Sequence, residues 1–287
     1  MNKIALITGA TSGIGKATAT KLAEIGYNLI ITGRRGDRLT ALEDELKTKG
    51  IQVLTLQFDV RNQQEVHNAI SNLPAEWQNI DILVNNAGLA VGTSPIQDGI
   101  LDDWERMIDT NVRAVHILTK LAVRDFVQRG RGYILNVSSS AGFLPGPLMA
   151  TYYATKNYVL RLTEALREEL RRAGSPVRVC ALCPGPVDTE FNKVAGVRFS
   201  LSGLSAERVA REAVDGLFAG KAVVVPGAAM KAMTLARHFA PDSILARITY
   251  HSSIRRAQND CKRDKKNAAK RICAYTAQAV RRRGKGI

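Results

Sequence analysis

Cysteine is scarce in this 287-residue sequence, with four residues at Cys180, Cys183, Cys261 and Cys273, too few and too scattered for a disulfide framework. Cys180 and Cys183 form a C-x-x-C, but VRVCALC reads as a strand. Positions three apart in a strand lie about 10 Å apart on opposite faces, which excludes a shared metal. No metal site is expected, and the thiols are read as buried in a reducing cytoplasm. Long apolar runs are also missing: no stretch of about 18 apolar residues occurs, and MNKIALITGATSG enters a strand at once rather than a charged-then-apolar leader. A soluble, cytoplasmic protein is expected. Acidic residues are sparse in one region only. Residues 251–287 hold 12 Lys or Arg against two Asp and no Glu, or +10 of a net +15, leaving +5 for the preceding 250 residues. The basicity belongs to the tail.

Apolar, β-branched runs recur at KIALIT, YNLIIT, IQVLTL, IDILVN, GYILNV, VRVCAL and AVVVP, separated mostly by helix-like stretches. Strands alternating with helices predict an α/β fold, a doubly wound parallel sheet of Rossmann type, with its ligand crevice at the carboxyl ends of the strands. One domain is expected over residues 1–227, then an amphipathic helical extension over 228–250 and a basic tail over 251–287. A continuous helix is predicted over 102–129 and another over 151–172. Tyr152 and Lys156, four positions apart in the second, share a face.

After the first strand comes TGATSGIG, Thr8 to Gly15. Gly9 permits the turn, Gly13 lets a diphosphate approach the backbone, and Gly15 lets helix and strand pack closely, with phosphate at the positive helix end. The second strand ends in Gly33, Arg34 and Arg35. A guanidinium there suits a 2′-phosphate, where a carboxylate would suit free ribose hydroxyls. This points to NADP(H) over NAD(H), with Arg34 favoured and Arg35 or Arg38 open to being merely solvated. Asp59 and Val60 follow the third strand, and NNAG, Asn85 to Gly88, follows the fourth, all at the carboxyl edge.

TGxxxGIG, NNAG, an Asn in DTNVRA, a Ser-rich strand end, YxxxK and a PGxVxT segment occur here in that order. The chain from residue 3 to about 227 thereby resembles the classical short-chain dehydrogenases/reductases. Its first 111 residues or so look most like the NADP-dependent serine and 3-hydroxy acid dehydrogenases, and the chain from GFLPGPLMATYYATK onward looks more like a broad bacterial group of unsettled substrate. The resemblance implies Tyr152 as catalytic acid/base with Lys156 as its partner, since Tyr153 has Asn157 four residues on. It selects Ser139 from three adjacent serines and adds Asn111, which would position a water. It implies cofactor contacts from Gly9, Thr11, Ser12, Gly13, Ile14, Gly15, Arg34, Arg35, Asp59, Val60, Asn86, Ala87, Gly88, Tyr152, Lys156, Pro184, Gly185, Val187 and Thr189. A homodimer or homotetramer through the two long helices is likewise implied.

A lysine ammonium beside a phenol favours the phenolate and draws its pKa down towards working pH. Ser139 would donate to the oxygen where charge develops. Phe143, Leu144, Leu148, Met149 and Phe191 suggest an apolar substrate wall, hence a lipophilic carbonyl or alcohol. A 3-hydroxy acid would need a cation, for which Arg198 is nearest in sequence. The segment 191–205, where a substrate lid is expected, is short. A non-catalytic cofactor sensor or partner-binding protein is the alternative of another class. The tail reads as a solvated end or as a weak membrane-surface contact, and without a recognisable module not as a nucleic-acid site.

Overall fold

The computed structural model describes residues 3–191 and 203–263. Seven parallel strands form one sheet: β1 (Ile4–Thr8), β2 (Asn28–Gly33), β3 (Val53–Gln57), β4 (Ile82–Asn85), β5 (Tyr133–Val137), β6 (Arg178–Leu182) and β7 (Val223–Val224). Their order is β3-β2-β1-β4-β5-β6-β7, so the chain reverses direction across the sheet between β1 and β4 and opens a crevice at their carboxyl ends.

The apolar runs are continuous because each strand is buried on both faces. Ala5, Ile7, Leu29, Ile31 and Leu135 pack under α1 (Gly13–Glu24), α2 (Gly36–Lys47) and α7 (Ala206–Phe218). Ile4, Leu6, Ile30 and Ile134 pack under α3 (Gln63–Ser71), α5 (Ala114–Arg129) and α6 (Ala150–Arg172). Cys180 and Cys183 are both buried free thiols and fall in different core clusters, as strand alternation requires.

The helix expected over 102–129 is divided. α4 (Leu101–Ile108) passes through a π-turn at Asp109–Arg113 before α5 begins. The wider turn carries Asn111, which is fully buried. At the other end, α8 (Ala228–Ala236) and a 3₁₀ turn precede α9 (Asp242–Arg263), so α9 runs straight across residue 250, where the sequence suggested a boundary. No helix among the described residues is long and apolar enough to cross a membrane. Most of the expected lid segment, residues 192–202, and the tail beyond 263 lie outside the described residues.

Candidate active site

The crevice is held open by hydrogen bonds between its two first loops. The Thr8 hydroxyl accepts from the backbone N–H groups of Asn86 and Ala87, both at 3.0 Å. In return Asn86 Nδ2 donates to the carbonyls of Thr8 and Gly9 at 3.0 and 2.9 Å. A β-carbon on Gly15 would lie 2.3 Å from both the Gly9 carbonyl oxygen and Asn86 Nδ2, so only glycine fits. Gly9 and Gly13 turn with φ of +63° and +53°, which suits glycine.

The resulting cleft, about 330 Å³, is lined along one side by Gly9, Thr11, Ser12, Gly13 and Ile14 and along the other by Asn86, Ala87 and Gly88. Phe58, Asp59 and Val60 close one end, and Pro184, Gly185, Val187 and Thr189 the other. Gly15 and Asn111 do not line it. Such a backbone-walled cradle at a helix start fits the diphosphate of a dinucleotide.

At the β2 end the arginines separate in role. Arg34 lies at the cleft mouth, with its side chain 62% exposed and 3.9 Å from Asp59. Arg35 turns inward: its guanidinium donates to Thr11 Oγ1 at 2.9 Å and Ser12 Oγ at 3.4 Å. Both arginines line the cleft, and Arg35 is the guanidinium braced against the glycine turn. Arg38, read as open to mere solvation, meets Glu190 at 2.7 Å. Asp59 is clamped by Arg61 at 2.6 Å. Burial pulls the Asp59 carboxyl up, but the hydrogen bonds and charge of Arg61, with Arg34 assisting, outweigh it and hold the group below its ordinary range.

At the β5 end the three serines diverge. Ser138 is buried and donates to the Lys156 carbonyl at 2.7 Å, which fixes the helix turn carrying that lysine. Ser139 caps the following 3₁₀ turn by accepting from Ala141 N–H at 3.1 Å, and it lines the cleft beside Tyr152. Lys156 is buried behind that phenol, with Nζ 5.9 Å from the ring centroid and donating to the Val137 carbonyl at 3.0 Å. A β-carbon on Gly88 would come within 3.4 Å of Lys156 Nζ and 3.7 Å of Asn111 Oδ1, so these groups meet under the second loop.

Asn111 spends its amide on protein: Nδ2 donates to the Leu89 carbonyl at 2.7 Å and Thr155 Oγ1 at 3.0 Å, and Oδ1 accepts from Leu89 N–H at 2.8 Å. These bonds brace the loop that carries Leu89. Contrary to expectation, the phenol is not drawn down by the protein alone. Burial pushes Tyr152 up to about 12, against a smaller opposing pull from Ser139. Burial likewise pushes Lys156 down to about 8. Desolvation disfavours both charged forms.

The substrate wall is only partly as expected. Met149 and Phe191 pack with Ala90 around Tyr152 and line the cleft, joined by Leu89 and Tyr153. Phe143, Leu144 and Leu148 do not line it. Phe143 and Leu144 pack behind the site with Leu160 and Cys183, and Leu148 is buried with φ of +70°. Sequence proximity to Ser139 misplaced them, because the 3₁₀ turn at Ser140–Phe143 swings the chain away from the cleft.

The C-terminal helices back this end of the site. The Met230 side chain covers Gly185, where a β-carbon would meet it at 2.7 Å. The Arg237 guanidinium stacks 4.7 Å over the Phe143 ring, and Thr249 donates to the Pro145 carbonyl at 2.9 Å. Motif spacing carries no sign of these contacts, nor of Thr155, Tyr153 or Glu190 at the site.

The short chain dehydrogenase family profile matches residues 3–197. The NADP-dependent 3-hydroxy acid dehydrogenase YdfG of Salmonella typhi is 45% identical over 192 residues, 67% of this chain and 75% of that protein. A short-chain dehydrogenase from Sphingobium yanoikuyae, solved with NADPH, superposes with a TM-score of 0.73 at 33% identity, covering 82% of this chain and 94% of that one. A bulky-bulky ketone specific alcohol dehydrogenase from Comamonas testosteroni superposes with a TM-score of 0.70 at 27% identity, covering 82% and 92%. With the profile spanning well over half the sequence and the glycine turn, tyrosine and lysine meeting in one crevice, this chain belongs to the short-chain dehydrogenase family and is an oxidoreductase.

Proposed function

We propose that the chain interconverts a ketone or aldehyde and an alcohol with NADP(H), and that its preferred carbonyl substrate is lipophilic. The observation that carries the chemistry is that Ser139, Tyr152 and Lys156 line one cleft, with the buried Lys156 Nζ 5.9 Å from the Tyr152 ring centroid. NADPH, when bound, supplies the hydride. Gly9, Gly13 and the α1 start would hold its diphosphate, Arg35 its 2′-phosphate, and Pro184 to Thr189 the nicotinamide end.

The rest falls to the protein. Tyr152, a neutral phenol with a pKa pushed up to about 12, is poised to give its proton to the substrate oxygen, and the Ser139 hydroxyl is placed to donate to that oxygen as charge develops. Lys156, with a pKa near 8, is the stronger acid of the pair and can replace the proton Tyr152 loses. The intact Ser139, Tyr152 and Lys156 set argues against a non-catalytic sensor.

Ala90, Met149 and Phe191 around Tyr152 support the lipophilic reading. The Salmonella relative's name supports a second, a 3-hydroxy acid, whose carboxylate would need a cation; the sequence candidate Arg198 lies outside the described residues. Loss of nicotinamide absorbance with NADPH and a panel of aryl and alkyl ketones, set beside oxidation of 3-hydroxy acids with NADP+, separates them. Tyr152→Phe should abolish either activity while retaining cofactor binding; undiminished turnover in that variant would remove the acid/base assignment.

Two associations complete the proposal. Exposed Ile100, Leu101 and Ile108 beside α5 and α6 support a homodimer or homotetramer, which sedimentation would reveal. Phe239, 85% exposed, with exposed Met233 and Ile244, precedes the basic tail and supports a weak contact with anionic membrane surfaces from a cytoplasmic location. Equal recovery with anionic and zwitterionic vesicles would rule that contact out.

A further inference from the structure

Glu190 stands one residue beyond Thr189, on the lip of the cleft facing the end of β2. Its carboxylate accepts from Arg38 at 2.7 Å and lies 3.5 Å from Arg35. Arg35 is the guanidinium that also reaches Thr11 and Ser12. One carboxylate thus spans the cleft mouth and touches the cation that the proposed function assigns to the 2′-phosphate.

Stability does not account for this bridge. The side chains of Arg35, Arg38 and Glu190 are 43%, 40% and 50% exposed, and ion pairs that open to water contribute little to folding. The hydrogen bond from Arg38, with the charges of both arginines, holds the Glu190 carboxyl below its ordinary range, so it stays an anion at neutral pH. An anion on Arg35 bears directly on how a second anion binds there. A phosphate dianion and a carboxylate sharing one guanidinium repel each other, and either the carboxylate withdraws towards Arg38 or the phosphate is held less tightly.

We propose that Glu190 is a specificity-determining residue whose carboxylate competes with the 2′-phosphate of NADP(H) for Arg35. The proposal rests on Arg35 being the 2′-phosphate site. NAD(H) carries no 2′-phosphate and leaves the carboxylate undisturbed. Glu190 therefore weakens the phosphorylated cofactor selectively and speeds its departure, a useful property where release limits turnover.

Fluorescence titration of the full chain with NADPH and with NADH tests this without any turnover. Glu190→Gln keeps the side-chain size and should tighten NADPH by about threefold to tenfold, with NADH unchanged within about twofold. Stopped-flow displacement should place most of the gain in slower NADPH release. In an Arg35→Gln background the same change should have almost no effect on NADPH. A Glu190→Gln protein whose two affinities shift together, or do not shift, overturns the competition. An Arg35→Gln protein that binds NADPH as tightly as the parent overturns instead the assignment of the 2′-phosphate site, so the two failures are told apart.

Discussion

The two ends of the cleft are built differently. The end walled by β1, β2 and β4 is made of backbone: glycines that leave room, and Thr8 and Asn86 binding main-chain groups of the opposite loop. The end beyond β5 and β6 is made of side chains delivered from afar. Met230 covers Gly185, Arg237 stacks on Phe143, and Thr249 anchors the Pro145 carbonyl, across as many as 104 residues. A backbone cradle binds what all dinucleotides share, whereas a wall of side chains is free to vary with the substrate.

That contrast can be broken most severely at Phe143. Phe143→Ala should lower folding stability by about 3–5 kcal/mol, as for other buried phenylalanines, while leaving the order of preference among ketones unchanged. Denaturant melts and a substrate panel check it; an altered panel would return Phe143 to the wall. Next comes Arg35→Gln, which should weaken NADPH by about tenfold to a hundredfold, the usual cost of a charge-assisted contact, and barely touch NADH. The companion Arg34→Gln should do less by isothermal titration, because that side chain, which also lines the cleft, is the more exposed of the two.

Smaller effects are expected in the wall itself. Met149→Ala should reduce kcat/KM for bulky ketones by about threefold to thirtyfold, in step with the apolar area removed, with little change in NADPH affinity. The mildest change is with pH. Lys156 is a cation whose folded pKa is lowered to about 8, so the fraction of protein carrying the ammonium is full below that value and declines above it. NADPH-linked reduction should hold up to about that pH and fall beyond it, and a kcat/KM profile flat through that range would separate Lys156 from proton resupply.

The fold and the cofactor end were legible because both follow from local rules. All seven strands announced themselves as apolar runs, and the glycine turn and NNAG mark backbone approaches that other residues would block. Helical spacing put Tyr152 and Lys156 on one face, which the unbroken α6 preserves, and the family resemblance singled them out. What stayed hidden depends on the direction in which a side chain leaves its backbone. Arg34 and Arg35 are neighbours in sequence and point to different places. Phe143 follows Ser139 closely yet faces the core. The π-turn at Asp109–Arg113 inserts Asn111 into a hydrogen-bonding role that no periodicity signals. The phenol's shift was misjudged for a related reason, since burial of Tyr152 pushes its pKa up to about 12 where the spacing suggested a fall.

The Met230 cover over Gly185 carries a consequence for how this sequence is free to change. A stop codon or cleavage ahead of α8 would spare every recognisable motif and still strip the floor from one loop of the reaction chamber. Selection acting on turnover must therefore extend into a stretch that motif inspection would dismiss as an appendage.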